Sequence, residues 1–332
     1  MAELTKEELF AINQQYDGLY SRFQSQTSPD QPLLLAHYTS VETVERILKE
    51  EEVWFSNPLY MNDLEEMRAG IGIGSQLFPQ YAQLAGAEPN RTSLLIQAFN
   101  HYTAHLAVET AIDTYVFCLC EHDPDKDMDG LLSMWREYGR KGNGAALVFN
   151  TQKINYQPQH PLLITKVNYA SPTEREAQLK TALDDWARIT LATSLPPDRL
   201  YLAAYSAFSF VKYFSLVIKH HGFSEEREWR VVYLPERDPH GYLKPRLDYF
   251  IGSRGVEPKL KLQLGATDLP QDGWSERLTI PALSEILEFI ILGPSVSSPL
   301  AKSSFIRMLQ RINKGKFSDR VFPSTIPLRP QA

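Results

Sequence analysis

Only two of the 332 residues are cysteine, and Cys118 and Cys120 sit in one short run. That leaves no material for a disulfide framework, and no second pair completes a zinc site. Long apolar stretches are missing too. None is read as reaching the roughly 18 to 20 residues of a bilayer span, and Met1 to Glu8 is polar without signal-peptide character. The expectation is a cytoplasmic protein with no membrane partner. An excess of positive charge is lacking, since the formal net charge is -6. Stable, sequence-nonspecific gripping of nucleic acid is thereby disfavoured, because it needs clustered cations that displace counterions. Only the stretch from Lys302 onward is locally basic, with seven Lys or Arg against Asp319; the ordinary reading is a solvated helix face. G-x-G-x-x-G, Walker A and G-x-S-x-G patterns do not occur, so dinucleotide-fold oxidoreductase, P-loop and α/β-hydrolase chemistry have no support.

What the chain does hold is 43% hydrophobic residues and 11% aromatics, enough for a substantial core. Thr5-x-x-Glu8 opens an N-terminal helix as a capping box, and Gln24 to Gln31 links it to the apolar run Leu33-Leu34-Leu35-Ala36, read as a strand. Ser40 caps a short helix whose inward stripe is Val41, Val44, Ile47 and Leu48. Helices are expected after Asn62-Asp63 and over about 91–109, then strands over 114–120, 144–149 and 162–169. Two long helices should follow, over 172–194 and 197–220. The remainder reads as strands at 229–234, 247–251, 259–264 and 286–292 and a terminal helix at 299–313. Strands at both ends around a helical middle imply an α+β fold whose sheet is assembled from distant pieces. The division expected is residues 1–30 as helix and linker, then one domain over 31–332 with helical insertions at about 63–110 and 172–221.

The residues able to do chemistry are scattered. His37 ends a strand, where a polar side chain can meet a ligand while the strand fixes its direction, although a lone His is more often a hydrogen-bonded core residue. Glu226, Glu228 and Arg230 are expected on one strand face; their ordinary reading is an ion-pair ladder. Asp125-x-Asp127-x-Asp129-Gly130 opens like a calcium loop, but position twelve is Arg136 where a bidentate Glu is needed, so a solvated acidic loop is the better reading. His101 and His105 have helical spacing without the Glu of a zinc-protease helix.

The order of several pieces is more specific than any one of them. These are His37-Tyr38-Thr39, Ser56-Asn57, Asn62-Asp63-x-x-Glu66, Trp135-x-x-Tyr138 followed by Gly144, Glu226-x-Glu228-x-Arg230, Ile290 to Pro294, and Ser324-x-Ile326-Pro327-x-Arg329. From Leu33 to Arg329 the chain resembles an uncharacterised bacterial family of unknown function. It also resembles the ADP-ribosyltransferases, poly(ADP-ribose) polymerases included. His37-Tyr38-Thr39-Ser40 looks like their strand-terminal His motif and Trp54-Phe55-Ser56 like their aromatic-Ser strand. Glu228-Trp229-Arg230-Val231-Val232-Tyr233 looks like their Glu-opened strand, and Glu226 completes an E-x-E pattern. Tyr38 stands where the polymerase pattern has Gly, and the spacing between the second and third motifs is longer here.

The resemblance implies a split mixed or antiparallel sheet core with a large helical insertion, and NAD as substrate. ADP-ribose would pass to an unknown macromolecular acceptor or to water, in a toxin, defence or regulatory factor. Glu228 and Glu226 would be catalytic, and His37, Tyr38, Thr39, Phe55, Ser56, Asn57 and Asn62 would bind NAD. Cleaving the nicotinamide bond builds oxocarbenium character on the ribose, which a carboxylate stabilises more in the transition state than in the ground state. An imidazole can orient the other ribose, and Tyr38, Phe55 or Tyr60 can stack on nicotinamide. Asn62-Asp63-x-x-Glu66, otherwise a helix cap, would fix a loop over the ligand. The rival is a non-catalytic module that senses a nucleotide or holds a protein on the same fold.

Overall fold

The computed structural model describes residues 14–16, 18–19, 33–61, 64–105, 113–154, 160–238, 240–252, 255–266 and 280–327. The capping box at Thr5, the linker before the first strand, Asn62, Asp63 and Arg329 lie outside them. In chain order the main elements are β1 (Leu34–Ser40), α1 (Val41–Glu50), β2 (Glu52–Ser56), α2 (Leu64–Gly86), α3 (Pro89–His105), β3 (Tyr115–His122), α4 (Leu132–Glu137), β4 (Gly144–Asn150), β5 (Leu162–Lys166), β6 (Asn168–Ala170), α5 (Pro172–Thr193), α6 (Leu200–Val217), β7 (Ile218–His220), β8 (Glu228–Tyr233), β9 (Leu247–Gly252), β10 (Gly255–Gln263), α7 (Leu283–Ile286), β11 (Leu287–Leu292), α8 (Pro299–Arg311) and β12 (Val321–Pro323). The fold is mixed helix and sheet, with the strands gathered from both ends of the chain.

Two compact units result. One comprises Met1–Ser28, Asn57–Thr114 and Ile164–Ser224, the other Pro29–Ser56, Tyr115–Leu163 and Glu225–Ala332. The first is helical. Phe78 of α2 stacks on Phe99 of α3 with ring centroids 3.9 Å apart and also meets Trp186 of α5, whose indole donates to Ala203 O at 2.9 Å. Tyr16, in the described part of the N-terminal helix, donates to or accepts from Thr190 at 3.0 Å. Gly70 and Gly74 let α2 lie close against α6: a Cβ on either would come within 2.4 Å of Ser215 Oγ or Val211 Cγ1.

Contrary to the sequence reading, one helix does have the length and hydropathy of a membrane span. It covers Pro197–Val217, and 89% of its most apolar window is buried inside the protein. It was hidden because Ser206, Ser209, Lys212 and Ser215 interrupt the apolar run. The helix also ends earlier than expected. β-branched Val217 and Ile218 turn the chain extended, with Ile218 at φ -120 and ψ 136, and β7 pairs in parallel with β6. The single strand expected over 162–169 is accordingly two strands interrupted at Val167.

The second unit is built on a sheet of order β12-β11-β4-β1-β3-β2-β10-β9, with β8 along the other side of β3. β11 and β12 run parallel, whereas the pairs of β1 with β3 and β4, β4 with β11, β2 with β3 and β10, β9 with β10, and β3 with β8 are antiparallel. The sheet forks at β3. β1 pairs with the end of β3, Ala36 against Cys120 and Leu34 against His122, whereas β2 meets the same edge at Ser56 against Val116. The residues between, 117–119, lie where the two strands part. α1 makes the crossover from β1 to β2, capped by Ser40, whose Oγ accepts from Thr43 N at 3.1 Å, and buries Val44, Ile47 and Leu48.

Candidate functional site

Strand alternation sorts the candidate residues by face. Directly opposed residues of antiparallel strands share a face, so Ala36, Cys120 and Glu228, matched across β1, β3 and β8, point the same way. Tyr38, Cys118 and Arg230 join them, as does Ser56 through Val116. His37 and Thr39 take the opposite face, with Phe117 and, on β2, Phe55. The side-chain contacts agree. His37 stacks on Phe117 with centroids 4.4 Å apart, and Phe55 lies 5.6 Å from the same ring.

His37 therefore does not share a wall with Glu228. It works inside the fork: its Nδ1 donates to Cys118 O at 3.0 Å, the carbonyl in the middle of the stretch that β1 and β2 leave between them. That bond fixes the tautomer and makes Nε2 the acceptor. Burial pushes the imidazole pKa below its ordinary value, with the Arg46 charge adding to the shift, so the ring is neutral near pH 7.

Tyr38 is on the Glu228 face but faces the core. Only 5% exposed, it packs edge-on against Trp135 at 4.8 Å, and its hydroxyl accepts from Leu131 N at 3.0 Å. Burial raises its pKa, so the phenol stays protonated. Neighbouring Cys120 is pushed up to about 12, also by burial. Asn57 is fully buried and caps the following turn, its Nδ2 donating to Thr114 O and its Oδ1 accepting from Leu59 N. Thr39 lies against Ala145, and its carbonyl is where a Cβ on Gly144 would strike, at 2.2 Å. Asn62 is outside the described residues.

The polar centre of the Glu228 face is a pair of buried ion pairs. Arg230 Nε and Nη2 donate to Glu228 Oε1 and Oε2 at 2.8 and 2.9 Å, a two-pronged contact between side chains two residues apart on one strand. On β10, Lys259 lies 3.1 Å from Glu257 and donates to Ser56 Oγ at 3.0 Å. Sequence reading missed Lys259 and Glu257; the alternation of Glu257, Lys259 and Lys261 in β10 is the signal that marks them. Ser56 and Glu228 are aligned with positions four residues apart on β3, about 13 Å along the strand at about 3.3 Å per residue. A single sugar does not bridge that separation; a dinucleotide does.

Glu226 departs from the expected ladder. The strand begins at Glu228, Glu226 ends the preceding 3-10 turn, and Arg227 between them has φ 43, which breaks the alternation that would align the two carboxylates. Tyr138 donates to Glu226 Oε1 at 3.4 Å, while Arg227 pairs with Asp127 at 2.5 Å.

The acidic loop is knitted into the protein. Asp127 accepts from Asp123 N as well as Arg227, and Asp129 accepts from Thr325 N and Thr325 Oγ1. Among the described residues no group of three or more His, Cys, Asp or Glu is placed to hold a metal ion.

Comparison with known proteins gives one match. The family described as Protein of unknown function (DUF2971) matches residues 134–231, from the Trp135 and Tyr138 segment through Arg230 and Val231. No curated protein and no solved structure matches the chain.

Proposed function

We propose that this chain is an ADP-ribosyltransferase-like protein that cleaves NAD on the Glu228 face of the forked sheet and passes ADP-ribose to a macromolecular acceptor. The observation that carries the reading is the buried Glu228 carboxylate held by Arg230, at the opening of a strand that resembles the Glu strand of that superfamily. A fixed carboxylate is what a developing oxocarbenium ion requires, and positioning in advance removes the reorganisation it would otherwise cost. Ser56 and Lys259, farther along the same face, supply a hydroxyl and a cation at a distance suited to the other end of a dinucleotide. His37 has a supporting part in this scheme, holding the fork open from the opposite face. Glu226, with Tyr138 at its side, is the candidate for orienting the acceptor.

The test is nicotinamide release from NAD, with and without a cell lysate as the source of acceptor, together with calorimetric NAD binding. Glu228→Gln should reduce turnover by about 10³-fold or more. His37→Phe, which keeps a ring against Phe117 but loses the bond to Cys118 O, should reduce turnover per folded molecule by less than Glu228→Gln does. Absence of both binding and release refutes the proposal.

A second reading has its own observation. Both Glu228 oxygens are engaged by Arg230, as suits a module that binds a nucleotide without cleaving it. Saturable binding with no product in any variant selects that reading.

A further inference from the structure

The sheet of the second unit ends on β9, and among the described residues no further strand pairs with that edge. Natural edge strands are blunted by lysines, prolines, bulges or a covering segment, because free backbone groups invite another strand. β9 pairs with β10 without a register break, from Leu247 against Leu260 to Gly252 against Gly255. Its sequence Leu-Asp-Tyr-Phe-Ile-Gly holds no Lys and no Pro. Tyr249, Ile251 and Val256 lie on one face of the hairpin at 55%, 68% and 61% exposure. Phe250 lies on the other, 5.6 Å from Trp54. The one charge on the strand, Asp248, is already paired with Lys261 at 2.7 Å.

We infer that β9 is a dimerisation edge, at which a second copy of this chain adds its own β9 antiparallel so that two sheets become one. The strand is complementary to itself over its greatest paired length in one register. A two-fold axis normal to the sheet keeps each residue on its own face, so only pairings between residues of the same parity are allowed. With the axis at Phe250, Tyr249 meets Ile251 of the second copy, an aromatic against a β-branched side chain, and Asp248 meets Gly252. With the axis at Asp248, two carboxylates oppose each other. With it at Tyr249, Asp248 is set against Phe250. An axis at Ile251 or Asp248 pairs only three residues of the strand, and of the two registers that pair five, the Phe250 axis is the one that sets apolar against apolar and leaves the acids apart at the ends of the contact. On one face it joins Tyr249, Ile251 and Val256 of both copies into a single apolar stripe. This inference does not depend on the activity proposed above.

The test uses the full chain. Sedimentation equilibrium over about 1 to 100 µM should give a reversible dimer. Ile251→Lys, a change at an exposed position that restores ordinary edge protection, should raise the dimer dissociation constant at least about 30-fold, with an unchanged melting temperature at concentrations where both proteins are monomeric. Under mild oxidation with diamide, Phe250→Cys should give a covalent dimer, because its two copies face each other at about 4.5–5.5 Å between Cα atoms. Tyr249→Cys should not, its copies lying about 8 Å apart, beyond disulfide reach. A wild type that stays monomeric throughout, a dimer indifferent to Ile251→Lys, or a cross-link through Tyr249→Cys in place of Phe250→Cys overturns the inference.

Discussion

Replacing Tyr38 with Phe removes a single oxygen and separates two roles that the sequence leaves mixed. The hydroxyl accepts from Leu131 N, the residue that leads into α4, and the ring rests edge-on against Trp135. Phe keeps the ring contact and leaves the half-buried Leu131 N–H without this acceptor. The cost of an unsatisfied buried donor is about 1–3 kcal/mol. For a unit of this size each kcal/mol lowers the melting temperature by about 2–4 °C, so the variant should melt roughly 2 to 12 °C below wild type. Tyr38→Ala also loses the ring, and large-to-small changes of aromatic core residues cost about 3–5 kcal/mol. Thermal unfolding followed by circular dichroism measures both variants, and NAD binding is measured on the same samples. If Tyr38 is a packing residue, Tyr38→Phe binds NAD as wild type does while melting lower. A Tyr38→Phe protein that melts within about 1 °C of wild type refutes the energetic reasoning, and one that loses NAD binding without losing stability assigns the hydroxyl to the ligand.

His160 should make the fold acid-sensitive. Burial lowers its pKa to about 4, and its Nδ1 accepts from Leu162 N at 3.0 Å, a bond that needs the lone pair. Its folded pKa lies below the unfolded value of about 6.5, so its contribution is complete above pH 6.5 and is lost as pH falls toward 4. The span corresponds to about 3 kcal/mol at most. Urea unfolding between pH 7.5 and 4.5 should show a decline that is smaller in His160→Asn, whose side-chain oxygen can accept the same bond; equal slopes would contradict this. Gly144→Ala places a Cβ 2.2 Å from Thr39 O, between β1 and β4. It should cost about 3 kcal/mol or abolish soluble expression, and a melting point near wild type would show that the two strands can separate freely.

Much of the local structure was legible in the sequence. Ser40 as a cap, the Val44, Ile47 and Leu48 stripe and the alternation in β8 are properties of short segments, and they appear where periodicity puts them. Pairing was not legible. Whether His37 and Glu228 share a face depends on Ala36 standing opposite Cys120 and Cys120 opposite Glu228, a register set by contacts between segments nearly two hundred residues apart. A slip of one residue would have placed them together. The turn at Arg227 was hidden for a different reason: a positive φ on an arginine is imposed by its surroundings, here the Asp127 ion pair and the Arg227 carbonyl accepting from Glu121 N, and leaves no mark in composition. Lys212, which breaks an otherwise apolar helix, masked the length of the buried hydrophobic segment in the same way.

Because β1 and β2 dock on one margin of β3, the three residues between their footholds are territory that either neighbour can annex. The imidazole of His37, seated on the carbonyl of Cys118, settles that boundary. Substitutions there threaten the molecule less by unfolding it than by letting one strand zip forward at the expense of the other, closing the cleavage in the sheet while every helix stays intact.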